Sequence, residues 1–222
     1  MTEPATTWVC FAVREEAAPF RRLVRGGSGV RVLLTGMGAA NARGRVAAAL
    51  QRAPPPAQVI SSGFAGGLNP GLRSGALLHA GFSAPETEAR LQRLGSQAAR
   101  FLMSDRIVNS VAEKQALWHQ EGADAVEMES GAIQEACRAA GVPCAVLRVV
   151  SDPADVPLPL DFNQLLTPDC RIDGRKLAVS LLRSPGKIPE LLRFQRQVRF
   201  AAERLASALA MLLLAHGSKP PV

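Results

Sequence analysis

Three observations predict an α/β layered domain for this chain. Strand-like and helix-like segments alternate along it. Hydrophobic residues make up 47% of its 222 positions, enough to fill a core. The C-terminal region carries one apolar stripe at three- and four-residue spacing, the mark of a helix docked on that core. The length allows one large α/β domain or two small ones, and the reading adopted is one domain over 1–222.

Taken in order, residues 7–13 and 30–35 read as strands around a helix at 15–24 and a Gly-rich turn at 26–29. Residues 41–52 are Ala-rich and helical, and Pro54-Pro55-Pro56 stops them. Residues 58–62 form a short strand running into a glycine loop, 63–67, and 76–80, 100–103 and 107–108 are further strand candidates. A helix at 129–140 ends at Gly141-Val142-Pro143, ahead of the apolar strand 144–150. Residues 156–175 are Pro-rich and loop-like, a candidate lid. The last helix, 186–216, places Leu191, Phe194, Val198, Ala201, Leu205, Leu209 and Leu212 on one stripe. Arg193, Arg196, Arg199 and Arg204 fall away from it, onto a solvated face or one that meets anionic head groups.

Composition narrows the function. Net charge is +7 with a pI near 10.0. Residues 171–204 hold nine Lys/Arg against three acids. Nucleic acid is not the expected partner, because no aromatic residues interleave with the basic ones and no helix-turn-helix or zinc pattern is present. No run reaches membrane-spanning length, and no basic segment leads into an apolar one at the N-terminus. Cys10, Cys137, Cys144 and Cys170 make no CxxC pair and read as reduced thiols of a cytoplasmic protein. The histidines at 79, 119 and 216 are scattered, so they read as incidental, and no metal set is expected.

Two acidic clusters carry the chemistry: Ala125-Val126-Glu127-Met128-Glu129-Ser130 and Ser151-Asp152-Pro153-Ala154-Asp155. A helix and a strand join them, an order that can bring a carboxylate at the helix start near one at the strand end. Paired carboxylates with different jobs suit cleavage of a sugar–base bond. Thr35-Gly36-Met37-Gly38 before a helix and Gly63-Phe64-Ala65-Gly66-Gly67 after a strand could each expose N–H groups to an anion or sugar oxygen, or be plain turns. Neither has dinucleotide-fingerprint spacing.

In this order the pieces resemble the nucleoside phosphorylase superfamily, which includes uridine phosphorylase, hexameric purine nucleoside phosphorylase and methylthioadenosine/S-adenosylhomocysteine nucleosidase. The resemblance runs from Trp8 to Asp155 and rests on Glu15-Glu16, the Thr35–Gly38 turn, Ser62–Leu68, Val126–Ser130 and Ser151–Asp155. It implies a phosphorylase/hydrolase-like fold, with helices on both faces of a mixed central sheet. It also implies that Glu129 holds the ribose hydroxyls, Met128 packs on the sugar, Asp152 protonates the purine and Glu16 activates water in the nucleosidase branch. The implied pocket adds Glu127, Phe64, Ala65, Gly66, Ile107, Val108 and Ser151. Where phosphate is the nucleophile, Gly36, Gly63, Arg14, Arg43 and Arg148 are its candidate contacts. No cofactor is expected beyond inorganic phosphate as a co-substrate, and relatives imply a homo-oligomer.

Departures from the family pattern are Phe64 in place of Ser or Thr, Ser61 where the phosphorylases carry arginine, and Ile107 where the nucleosidase has a stacking aromatic. The span between the glycine loop and Asp105 is short. A narrower resemblance fits these. The Ala65–Leu72 run, Asp152–Asp155 with its Pro-rich sequel, Asp173-Gly174-Arg175 and Leu181–Gly186 look like hopanoid-associated phosphorylases. These are implied to release adenine from adenosylhopane. The first expectation is therefore phosphorolysis of an adenine nucleoside in hopanoid synthesis. The rivals are hydrolysis of a methylthioadenosine-type nucleoside and a nucleoside-binding protein without turnover.

Overall fold

In a computed structural model, which describes residues 6–24 and 29–214, alternation along the first strand sorts the molecule into layers. In β1 (Thr7–Phe11), Val9 and Phe11 enter one apolar cluster while Trp8 and Cys10 enter another, as period-2 side chains must. The first cluster is closed by Ala17 and Phe20 of α1 (Arg14–Leu23) and by Ala201, Leu205, Leu209 and Leu212 of α8 (Ile188–Leu213). The second is closed by Ala42 and Val46 of α2 (Ala39–Arg52) and by Ile133, Ala136 and Cys137 of α5 (Ser130–Ala139). Helices thus cover both faces of the sheet, and α8 is the long C-terminal helix expected. His216 and most of the 26–29 turn lie outside the described residues.

The sheet runs β2 (Val30–Leu34), β1, β3 (Gln58–Gly67), β8 (Cys144–Asp152), β4 (Leu77–Ala80), β5 (Ser96–Ala98). β1 is parallel to β2 and β3, and β3 to β8, whereas β4 is antiparallel to β8, so the sheet is mixed. Two short strands extend it, β7 (Ala125–Glu127) antiparallel to the end of β3, and β6 (Phe101–Met103) parallel to β7. β3 and β8, buried on both faces, read as near-continuous apolar or small residues.

Several expectations need correction. The glycine loop at 63–67 is the second half of β3, because pairing with β8 and β7 satisfies its backbone. No strand forms at 107–108; the Ile107 N–H instead donates to Asn163 Oδ1 of α6 (Phe162–Leu165), and Asn163 Nδ2 donates back to its carbonyl. The short span before Asp105 holds β4, α3 (Pro85–Arg93), β5 and β6. α4 (Val111–Glu121) went unread. The 156–175 segment is pinned rather than free. Asn109 Nδ2 donates to Asp161 Oδ1 at 2.7 Å, and Phe162 packs on Phe194. Its end already begins α7 (Gly174–Arg183), capped by Asp173. His79 is buried against Ser96 and Glu88, a tie between β4, β5 and α3.

Candidate active site

Four carboxylates and two cations are buried where β3, β7 and β8 end: Glu16, Glu127, Glu129, Asp152, Arg148 and Lys114. The end of β3 organises them, since Gly66 pairs with Val126 of β7 on one strand and with Asp152 of β8 on another. The register slips between Ala65 and Gly66, so that Ala65 faces Val150 and Gly66 faces Asp152. Ser151 is the extra residue of this irregularity, which sets the aspartate beside a glycine. A Cβ on Gly66 would stand 3.4 Å from Asp152 Oδ2 and 3.2 Å from Val126.

Glu16 sits in the first turn of α1. Its Oε2 accepts from the N–H groups of Ala12 (3.0 Å) and Val13 (3.2 Å), and Oε1 from Phe64 N–H at 2.8 Å. Gly63 makes this approach possible. With φ +144°, it would put a Cβ 2.7 Å from Glu16 Oε1 and 2.8 Å from Arg148 Nη1. Burial raises the Glu16 carboxyl to about 7, with Arg148 pulling it down and Glu129 pushing it up.

Arg148 is wholly buried in β8. Its Nη2 donates to Glu127 Oε2 (2.5 Å), Ser61 Oγ (3.3 Å) and Glu129 Oε2 (3.4 Å), and Nη1 to the Phe64 carbonyl. Glu127 is spent on the start of α5, accepting from the N–H of Glu129 and Ser130 and from Ser130 Oγ. Glu129 is freer: Gly38 N–H donates to its Oε1 at 2.9 Å, leaving a carboxylate that can still accept from hydroxyls. Burial raises its pKa, while Arg148 and Gly38 favour its ionised form.

Asp152 meets Lys114 of α4, a residue that sequence reasoning missed. Lys114 Nζ lies 2.7 Å from Asp152 Oδ2 and donates to the carbonyls of Pro153 (2.9 Å) and Val156 (3.0 Å). Those three contacts exhaust an ammonium's donors. Ser151 Oγ donates to Asp152 Oδ1 at 2.5 Å. Burial raises the Asp152 pKa, and Lys114 and Ser151 oppose the rise. The signal for Lys114 was a lysine three and four residues before Leu117 and Trp118, on a face that packs inward.

The remaining expected residues divide. Ala65 and Ser151 line the β3–β8 end, and Met128 is half-buried between the two glutamates of its motif. Phe64 is half-buried with one side packed against the main core, and Val108 is buried with Leu68, Ala123 and Val126. Among the phosphate candidates no buried cation or amide is wholly free, the Arg148 Nε–H being the one buried side-chain donor of theirs without a partner. Gly36 N–H donates to Ala12 O, Gly63 lies within β3, and Arg148 is neutralised by glutamates. Arg14 is exposed, and Arg43 pairs with Glu135 on the α2–α5 surface. Cys10 is pushed up to about 12 by burial and is no nucleophile, and all four cysteines are free thiols. Surface hollows beside Gly81 and Pro143–Cys144, at the opposite ends of β3 and β8, have no carboxylate in their walls.

A three-layer α/β fold with carboxylates gathered at its strand ends defines a class, and known proteins of similar sequence and fold can be set beside it. Residues 86–183 match the Phosphorylase superfamily model. Aminodeoxyfutalosine nucleosidase from Helicobacter pylori strain J99 is 35% identical over 78 residues, 35% of this chain and 34% of that protein. The matched stretch thus spans about a third of that curated relative. Over nearly the whole chain the fold matches Helicobacter pylori 5′-methylthioadenosine/S-adenosylhomocysteine nucleosidase, with TM-score 0.67, 19% identity and 95% and 98% coverage. It also matches the Neisseria meningitidis nucleosidase (0.66, 21%, 95% and 99%) and Helicobacter pylori futalosine hydrolase (0.65, 20%, 94% and 97%). These matches bear out the resemblance to the nucleoside phosphorylase superfamily and its fold. They do not single out the hopanoid branch.

Proposed function

We propose that this protein hydrolyses the N-ribosidic bond of an adenine nucleoside. Departure of the base builds positive charge on the ribose ring and negative charge on the purine. Glu129, whose carboxylate form Arg148 and Gly38 favour against burial, accepts from the ribose hydroxyls and stabilises the developing cation. Asp152, whose pKa burial raises, donates a proton to the purine. Glu16, at about 7, takes a proton from the attacking water. The curated relatives with matching sequence are nucleosidases, which supports this division of roles.

Water replaces phosphate as the first choice of nucleophile, and one observation carries that change. Among the described residues the buried cations at this site are Arg148 and Lys114, and both are already engaged with its carboxylates, the Arg148 Nε–H alone lacking a partner. A phosphate dianion would have to draw Arg148 or Lys114 away from the carboxylates that hold them. Adenine release from methylthioadenosine should therefore be unchanged by added phosphate, with free sugar rather than sugar phosphate formed. Phosphate-dependent release, or a sugar phosphate product, would restore phosphorolysis. Binding of adenosine without any release would favour the rival without turnover.

An apolar 5′ substituent, as in adenosylhopane, is kept as a second reading on a separate observation. The turn before α7 lies beside the sugar-side Gly38, where Cys170 Sγ would stand 3.5 Å from a Cβ, and Ile172 just beyond is exposed. Competition between adenosylhopane and methylthioadenosine for turnover tests it, and no competition removes it.

A further inference from the structure

α7 is an amphipathic helix with no buried residue. Leu177, Ser180 and Leu181 turn toward the body and are half-buried. Ala178, Val179 and Leu182 fall on the opposite arc, where Leu182 is 81% exposed and Val179 45%. Arg175 shares that arc and Arg183 borders it, and the helix contains no acid. A 3-10 turn at Pro185–Lys187 leads into α8, whose first turns expose Ile188 and Leu192 beside Arg193 and Arg196. Only beyond Phe200 does α8 sink into the core.

We propose that the outer face of α7, with the first turns of α8, docks on an anionic phospholipid bilayer. Charge decides between the possible occupants. Arg175, Arg183, Arg193 and Arg196 lie on or beside this face while the nearby acid Glu190 is paired with Lys187, so the face is positive and a second copy pairing face to face would bring like charges together. Nucleic acid would take the charge but gain nothing from Val179 and Leu182, and α7 carries no aromatic to stack on a base. An anionic bilayer satisfies both halves, apolar side chains entering the acyl boundary and guanidinium groups meeting phosphates. No described helix is long and apolar enough to cross a membrane, so the contact is peripheral.

The place of this face matters. Asn41 Nδ2 donates to the Asp169 carbonyl, so the turn leading into α7 is fastened to α2 near Gly38 and hence near Glu129. Gln197 Nε2 of α8 donates to the Ser151 carbonyl at 2.5 Å, beside Asp152. Docking would bring the rim of the candidate site to the lipid surface, within reach of a substrate whose sugar carries an apolar anchor.

Sedimentation of the full chain with vesicles tests the proposal. Binding is expected to vesicles containing about 30 mol% phosphatidylglycerol, and to be at least about tenfold weaker to pure phosphatidylcholine or in about 0.5 M salt. Leu182→Glu and Arg183→Glu should each weaken binding at least about fivefold without changing the melting temperature, whereas Arg22→Glu on the exposed side of α1 should not weaken it. Equal binding to neutral vesicles, wild-type binding by Leu182→Glu, or self-association that Leu182→Glu abolishes would each overturn it. So would displacement from vesicles by single-stranded DNA with Leu182→Glu retaining full DNA affinity. Turnover of methylthioadenosine, assayed on the same preparations, reports separately on the nucleosidase reading.

Discussion

Arg148 and Lys114 are both buried cations, yet they are used in opposite ways. Arg148 lies among Glu127, Glu129 and Glu16, so acids outnumber the cation and the excess charge disfavours ionising all of them. Burial, opposed by Arg148 and aided by Glu129, raises the Glu16 carboxyl to about 7 and suits it to accept a proton. Lys114 serves one carboxylate and fills its other two donors with backbone carbonyls. It holds Asp152 in place, and it opposes the protonation that the proposed role of leaving-group acid needs. One cluster tunes a carboxyl by burial against a shared cation; the other positions a carboxyl by matching donors to acceptors.

Perturbing each cluster separates these uses. The largest effect is expected at the acid itself: Asp152→Asn should lower kcat by about 10²–10⁴-fold while adenosine binding, read by calorimetry, persists. Arg148→Met strands three carboxylates in the interior and should cost about 3–5 kcal/mol in denaturant unfolding. A loss below about 1 kcal/mol would mean that the glutamates shed their charge without it.

Glu16 ties stability to pH. Its carboxyl titrates at about 7 in the folded protein against an ordinary value of 4.5, so the folded form holds the proton more tightly. Stability from this group is greatest below the unfolded value and is lost as pH rises through the folded one, by on the order of 3 kcal/mol. Glu16→Gln should flatten that fall in melts between acid and mildly alkaline pH. It should also abolish the acid limb of turnover. The smallest effect belongs to Lys114→Met. Removing a charge that lowers the Asp152 pKa should move the alkaline limb of the rate profile to higher pH. An unmoved limb would show that another group governs it.

The two clusters also differed in how legible they were in the sequence. Glu16, Glu127, Glu129 and Asp152 stand in short contiguous motifs, and the structure brings all four to the same strand ends. Arg148 was visible as a charge inside an apolar strand, which demands buried acids, but was read as a phosphate contact. Lys114 gave almost no signal, because α4 is mostly polar and its partner is distant in sequence. The layers were readable from alternation and from the α8 stripe, although Leu191, Phe194 and Val198 are only half-buried. The glycines of 63–67 looked like a turn because intrinsic preference takes no account of strands on either side.

The Lys114 arrangement reaches beyond chemistry into cooperativity. α4 contributes no other charged group to the buried cluster, yet its docking shields Asp152 from water. If that helix peeled away in a brief opening, the aspartate would hydrate, drift toward an ordinary acidity and surrender its proton. Glu129, the proposed sugar-holding group, would stay in place, so such an opened form would capture ligand and do nothing with it. Amide exchange along Val111–Glu121 therefore gauges how much of the population is competent at any moment.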